Sequence, residues 1–268
     1  MSGPHEVDSL GERMSISLRE KLELVEHVER GPVIELGCGV GTVLAGCKTR
    51  FPEGDLWGIE MDPELASRAR IEVPGATILE GNVLEPDPWE PSLPHEFGAV
   101  VLFSMLHEVD WPHGWQAVES VIRLANRLLR PGGLLLLRDG AKPPLVEDLA
   151  LRFKTDYARR KTRAFEREYR QRPMNFVWHG DDGGVNLSSH DLHDLLNKYY
   201  FEGDLWKRDM HESFGRKGGR DYARLCGRYF EVLHFATSTP GYLRERWSRD
   251  FEVDGFPTSH VAIVARKP

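Results

Sequence analysis

Val33-Ile34-Glu35-Leu36-Gly37-Cys38-Gly39-Val40-Gly41-Thr42 is a short apolar run that breaks into three alternate glycines. A second short run, Leu56-Trp57-Gly58-Ile59, ends in Glu60. A buried strand opening into a backbone-exposing turn, followed by a strand that ends in a carboxylate, is how α/β folds hold a nucleoside. The glycine spacing narrows the choice. A dinucleotide site uses Gly-x-Gly-x-x-Gly, so that a helix N-terminus can sit on the pyrophosphate. Here the pattern is Gly37-x-Gly39-x-Gly41, with Thr42 where the third glycine would fall. That spacing counts against a nicotinamide-dependent oxidoreductase.

Strand and helix signals alternate on both sides of this stretch. Ser17-Leu18-Arg19-Glu20 reads as a capping box ahead of an apolar stripe, Leu18, Leu22, Val25 and Val28. Strands are predicted at Val33–Leu36, Leu56–Glu60, Ala76–Glu80, Gly98–Phe103 and Leu134–Arg138, with helices after Gly41, from Asp62-Pro63, and from about His113 to Leu129. Short apolar strands alternating with helices give a parallel sheet with right-handed crossovers. The periodicity then changes: 145–172 and 189–200 read as helical, and two β-like runs, Tyr229–Phe235 and His260–Ala265, close the chain. The expected fold is a doubly wound, mostly parallel seven-stranded α/β sheet with an antiparallel last strand and a helical insertion after strand five. Its parts are an N-terminal helical segment (1–30), a Rossmann-like core (31–140), a mostly helical lid (141–228) and the last two strands (229–268).

Composition bounds the function. Of the 268 residues 29% are charged and 40% hydrophobic, which is ordinary for a globular protein and unlike a disordered one. The net charge of −7 excludes a nucleic-acid coat, although local patches can differ. The polar, acidic start lacks the apolar core of a signal peptide, and Gly98–Leu106 is too short to span a bilayer. Cys38, Cys47 and Cys226 form no Cys-x-x-Cys. The expectation is a cytoplasmic protein with no membrane partner. His190 with His193, and His179 with Asp181 and Asp182, do not form a recognised ligand frame, so no metal is expected. The absence of a Gly-x-Ser-x-Gly elbow argues against a hydrolase.

Five motifs in order resemble the class I (Rossmann-like) S-adenosylmethionine-dependent methyltransferases. They are Glu35-Leu-Gly37-Cys-Gly39-Val-Gly41, Trp57-Gly-Ile-Glu60-Met61-Asp62, Glu80-Gly81-Asn82-Val83, the run from Phe97 through Ser104 to His107-Glu108, and Leu128-Leu-Arg-Pro131-Gly132-Gly133. The resemblance spans roughly residues 31–140 and the final strand pair. It implies S-adenosyl-L-methionine as cofactor, held by Glu35, Gly37, Gly39, Gly41, Glu60, Met61, Asn82, Val83 and Ser104. In that setting Glu60 accepts from both ribose hydroxyls, Asn82 bonds the adenine rim or merely shapes a turn, and Glu35 reaches the amino-acid end or merely ends its strand. A sulfonium methyl is already activated, so the protein chiefly aligns a nucleophile and excludes water. An oxygen or nitrogen nucleophile also needs a base. The candidates are His107, Glu108 and Asp139, against readings of His107 as a capping or packed residue and of Asp139 as a partner of Arg138.

Two features of the insertion bear on the acceptor. Residues 152–172 hold nine basic side chains (Arg152, Lys154, Arg159, Arg160, Lys161, Arg163, Arg167, Arg170, Arg172) against three acidic ones (Asp156, Glu166, Glu168). This is either an RNA funnel or a solvated helix face with Phe153, Tyr157, Phe165 and Tyr169 as core anchors. Tyr199, Tyr200, Trp206 and Arg208-Asp-Met-His211-Glu212 suit a lid over a small, partly apolar acceptor. The leading expectation is a methyltransferase for a small organic acceptor. Its rivals are an RNA-modifying enzyme and a non-catalytic binding protein on the same fold, and a homodimer is compatible with each.

Overall fold

A computed structural model of the chain describes residues 17–29, 31–94, 96–180, 183–211 and 214–268. The start of the chain, Asp181, Asp182 and Glu212, all drawn on above, lie outside the described residues. Strands β1 (Val33–Leu36) and β4 (Phe97–Phe103) are buried at every position. Runs of Val, Leu and Phe without polar alternation need cover on both faces, which a parallel sheet between two helix layers supplies. β2 (Leu56–Glu60) and β4 flank β1, both parallel to it, with Val33 opposite Leu56 and Ala99. β3 (Thr77–Glu80) and β5 (Leu129–Gly140) extend the sheet in parallel on either side.

The sheet is completed by β11 (His260–Arg266) and β9 (Glu231–Ser238), in the order β3-β2-β1-β4-β5-β11-β9. Reciprocal bonds from Gly132 N to Lys267 O and from Lys267 N to Gly133 O, both 2.9 Å, mark the last strand as antiparallel to β5. Helices α1 (Leu18–Val25), α2 (Thr42–Arg50) and α3 (Pro63–Glu72) bury Leu24, Val25, Leu44, Cys47, Ala66 and Ala69 against Val33, Leu56 and Val101 in one apolar cluster. Each large aliphatic side chain so buried contributes about 1.5–3 kcal/mol. The three cysteines are free and buried.

Local differences from the sequence reading have physical causes. The capping box at Ser17 does not form: Ser17 makes no side-chain cap bond, and Glu20 reaches Arg138 at 2.6 Å. The helix expected from His113 is two helices, α4 (Leu106–His113) and α5 (Trp115–Leu128), broken at Gly114, whose φ of 80° a helix cannot accommodate. α3 follows expectation, with Asp62 Oδ1 accepting from Glu64 N and Leu65 N and Pro63 in the first turn.

The chain divides into two compact units. One comprises the described residues up to Asp139, with Arg220–Ala236 and Val261–Pro268; the other comprises Gly140–Gly219 and Thr237–His260. The second unit has its own antiparallel sheet, β10-β6-β8-β7, made by β6 (Leu149–Phe153), β7 (Val177–Trp178), β8 (Val185–Leu187) and β10 (Phe251–Val253). β6 replaces the start of the helix expected from 145. Leu149, Leu151 and Phe153 alternate with Ala150 and Arg152, a period of two that the following helical pattern masks. The helix is α6 (Asp156–Glu168), and α7 (Ser189–Lys198), α8 (Gly203–Asp209) and α10 (Gly241–Asp250) complete this unit. Helix α9 (Gly219–Cys226) lies almost wholly in the first. Among the described residues no helix is long and apolar enough to cross a membrane.

Candidate active site

The glycine loop leaves β1 and is tied to the end of β2: Gly37 N and Cys38 N both donate to Ile59 O, at 2.8 and 3.0 Å. Two of its glycines are obligatory. Gly37 has φ 75° and a Cβ there would come within 3.1 Å of Met105 Cβ; Gly41 has φ 83° and its Cβ would lie 2.9 Å from Val73. Glu60 closes the loop, one carboxylate oxygen accepting from Gly39 N at 2.8 Å and the other from Asp62 N at 3.0 Å. A carboxylate offers about four lone-pair sites, so two bonds leave capacity for hydroxyl donors. Met61 beside it is 69% exposed, a large apolar side chain presented rather than packed.

Glu35, on β1, is buried, and its Oε2 has no hydrogen-bond partner. Burial pushes its carboxyl up to about 8, with Glu60 adding to the effect and Lys21 opposing it. Lys21, on α1, is buried as well and is drawn below the lysine range by that burial. The sequence carried this signal: Lys21 interrupts the apolar stripe of α1, between Leu18 and Val25. Asn82 Oδ1 accepts from Leu84 N at 2.9 Å, so its carbonyl shapes the turn that ends β3 and its NH2 group remains the donor side. Val83 follows in that turn, half-buried.

At the end of β4, Ser104 adopts φ 57° and donates its N–H to Arg138 O at 2.7 Å. This sparsely populated conformation turns the chain into α4. Asp139, fully buried at the end of β5, accepts from Met105 N (3.0 Å) and Leu106 N (2.7 Å) through one oxygen. Its other oxygen lies 2.6 Å from His107 Nδ1. That bond requires Nδ1–H as the donor and places the basic lone pair on Nε2. The structure therefore joins His107 to Asp139, and Arg138 pairs with Glu20 instead. Glu108, in the same turn, is exposed. Sequence reasoning passed over Tyr222 on α9, which is buried edge-on against Trp115 at 5.0 Å. Its hydroxyl is held well above the tyrosine range by burial and by the charges of Asp139 and Asp110.

Within the second unit the basic stretch is largely committed to packing. Lys161 is buried, donates to Phe201 O at 2.7 Å, and sits 3.9 Å from the centre of the Trp206 ring. Arg163 lies over Trp178 at 4.2 Å, and Arg172 bonds Asp191 and Asp194. Tyr199 and Trp206 are buried in this unit's apolar cluster, and Tyr200 donates to Arg246 O. His190 Nε2 bonds Pro143 O, His193 is buried beside Asp194, and His179 faces Asn186.

A family profile described as "Methyltransferase domain" matches residues 10–203. A ribosomal RNA small subunit methyltransferase C from Ectopseudomonas mendocina is 29% identical over 133 residues, 47% of this chain and 38% of its own length. A trans-aconitate 2-methyltransferase from Methylobacterium nodulans is 28% identical over 127 residues, 44% of this chain and 47% of its own. The aligned parts are thus under half the length of these curated relatives. Among solved structures, an S-adenosylmethionine-dependent methyltransferase from Mesorhizobium loti covers 94% of this chain and 97% of its own at a TM-score of 0.56 and 14% identity. A geranyl diphosphate C-methyltransferase from Streptomyces coelicolor, solved with S-adenosyl-L-homocysteine, covers 97% of this chain and 82% of its own at 0.56 and 12%. These likenesses show the fold.

Proposed function

The chain belongs to the methyltransferase-domain family, and from that membership we propose that it methylates an oxygen or nitrogen of a small organic acceptor, with His107 as general base. It is an S-adenosylmethionine-dependent methyltransferase. When bound, the cofactor supplies a sulfonium methyl that needs no further activation. The residues present fit it: a loop whose Gly37, Gly39 and Gly41 carry no Cβ, a Glu60 carboxylate with unfilled lone pairs for ribose hydroxyls, and an orphaned buried oxygen on Glu35 for an ammonium. In this reading Met61, Asn82 and Val83 border the adenine, and Ser104 borders the cofactor at the end of β4.

The observation that carries the proposal is Asp139, which both caps α4 and orients His107. His107 Nε2 would take the acceptor's proton as its nucleophilic atom attacks, and Asp139 would stabilise the resulting imidazolium. Glu108, exposed in the same turn, would orient the acceptor rather than take its proton. The insertion begins one residue after Asp139, and its place in the chain supports a lid over the acceptor. The curated relatives act, by name, on ribosomal RNA and on trans-aconitate. The small acceptor is favoured because Lys161, Arg163 and Arg172 are committed to packing and ion pairs, which leaves fewer cations for a phosphate backbone.

The test is transfer from methyl-labelled S-adenosylmethionine into host extract, separated by size. Label in the small-molecule fraction, lost in His107→Ala, is the expected result. Label confined to a ribonuclease-sensitive large fraction would overturn the small acceptor.

A further inference from the structure

Helix α1 carries a lysine on its buried face. Lys21 lies there with Leu24 and Val25 and is only 3% exposed. Lysine is almost never fully buried unless it is paired. Yet among the described residues the Lys21 side chain makes no hydrogen bond and no ion pair.

Two fastenings aim it. Glu20, the preceding residue, accepts from Arg138 Nη2 at 2.6 Å, which ties the first turn of α1 to the end of β5 beside Asp139. Leu22, the following residue, packs over α2 so closely that a Cβ at Gly46 would lie 2.6 Å from its Cδ2. Between them Lys21 faces inward. Burial draws it below the lysine range, the charges of Glu35 and Asp139 pull it back up, and that of Arg138 pushes it down. It therefore sits toward the carboxyl ends of β1 and β5, the edge at which a parallel sheet binds its ligands.

The other charges at that edge are engaged. Arg138 is held by Glu20, Asp139 by His107 and the N–H groups of Met105 and Leu106, and Glu60 by Gly39 N and Asp62 N. Lys21 and Glu35 are left. One is a buried cation without a bond, the other a buried carboxyl group whose Oε2 has no partner. They attract each other, yet neither forms an ion pair among the described residues. Burying both without a contact costs the free protein stability, and a ligand that bonds both at once removes that cost.

Such a pair selects its ligand. A simple anion meets Glu35 and a simple cation meets Lys21, whereas an α-amino acid group brings a carboxylate and an ammonium on one carbon. We infer that Lys21 and Glu35 hold the amino-acid end of the cofactor between them, Lys21 taking its carboxylate and Glu35 its ammonium. This rests on the proposed role of Glu35 and makes α1 a working part of the cofactor site. Charge-assisted hydrogen bonds at both ends make recognition depend on both charges of the same group.

The test is calorimetric titration of the full chain with S-adenosyl-L-homocysteine, which has no methyl to transfer, and with its decarboxylated and deaminated analogues. In the unaltered protein each analogue binds at least about tenfold more weakly than the parent, the effect of losing one charge-assisted hydrogen bond. Lys21→Met abolishes the preference over the decarboxylated analogue and keeps that over the deaminated one. Glu35→Gln does the reverse. Equal binding of all three by the unaltered protein overturns the inference, a comparison that needs no variant to fold. So does a Lys21→Met protein that weakens all three alike, which is how a lysine needed only for the fold would behave. Either failure leaves His107 and the small acceptor standing. A protein that keeps both preferences but labels no small molecule overturns the proposed function and not this pair.

Discussion

The two units treat their buried polar groups in opposite ways. In the sheet unit they are left with work to do: Glu35 holds an oxygen with no partner, and Asp139 orients a half-buried histidine. In the inserted unit they mostly neutralise each other. Arg172 is clamped by two aspartates, Lys198 is buried 3.4 Å from Asp209, and Lys161 is shared among Phe201, Glu202 and Trp206. A fold tolerates an unsatisfied buried group only at a cost of about 1–3 kcal/mol, so such groups are retained where a ligand can complete them. Arg172 Nε, His193 Nε2 and Asp209 Oδ2 of the inserted unit lack partners too, but each belongs to a side chain set beside a group of opposite charge, whereas Glu35 forms no ion pair among the described residues. By that criterion the chemistry belongs to the sheet unit and the charge of the insertion to its architecture.

The largest expected effects fall on the pair that sets this contrast. His107→Ala lowers kcat by roughly 10²–10⁴-fold with cofactor affinity retained, the range for a positioned general base. Asp139→Asn does nearly as much, because the amide presents a donor or a weaker acceptor to Nδ1 and disturbs the tautomer. Single-turnover transfer beside calorimetric cofactor binding checks both, and an unchanged kcat in His107→Ala sinks the base. Next comes Glu60→Ala, which removes the proposed ribose acceptor and releases Gly39 N and Asp62 N together. It weakens cofactor binding by about a hundredfold or more, two hydrogen bonds to a charged group being worth roughly 3 kcal/mol. Full affinity in a folded Glu60→Ala protein breaks the ribose assignment.

The same contrast explains what was legible beforehand. The glycine loop, Glu60 and the Asp62-Pro63 helix start were readable because each depends on residues a few positions apart: a strand, a turn, a cap. The His107–Asp139 bond joins residues 32 apart, and the alternative partner for Asp139, Arg138, was taken by Glu20 from more than a hundred residues away. No local pattern encodes that competition. The insertion was harder still. β6 is five residues with a period of two next to a helix with a far stronger pattern, and its sheet partners β8 and β10 lie distant in the chain. The cations of 152–172 looked like a surface because sequence shows charge but not what opposes it. Lys21 is the residue that could have been found, a lysine on an otherwise apolar helix stripe.

Architecture by mutual neutralisation makes its own prediction for the insertion. Arg172→Met leaves Asp191 without its counter-charge and Asp194 with Lys142 and His193 alone, and destabilises this unit by roughly 2–4 kcal/mol. Burial works against ionising Asp194, yet His193, Lys142 and Arg172 together hold its carboxyl down at about 2. Its folded value lies below the unfolded one, so its contribution is present above about pH 4 and is lost as pH falls toward 2. Arg172→Met should therefore narrow the gap between thermal unfolding at pH 6 and at pH 3. Equal loss at both pH values would mean the arginine acts through packing of its stem alone.

Glu35 gives the smallest effect and the opposite sign. Its carboxyl is raised to about 8 by burial, above the unfolded value, so the native state holds a proton that the unfolded chain has released. Between about pH 4.5 and pH 8 the native state binds more protons, and stability contributed by this group falls as pH rises. Glu35→Gln keeps the shape, removes the ionisation, and should raise the melting temperature at pH 9 by a few degrees, for a gain on the order of 1 kcal/mol. Near pH 5 it should change little. The same variant loses the oxygen that would meet the cofactor's ammonium, so it should weaken cofactor binding while stabilising the free protein. A variant that is stabler when empty and poorer at binding is what a group retained for its ligand requires; a Glu35→Gln protein no stabler at pH 9 would place Glu35 with the neutralised charges of the insertion instead.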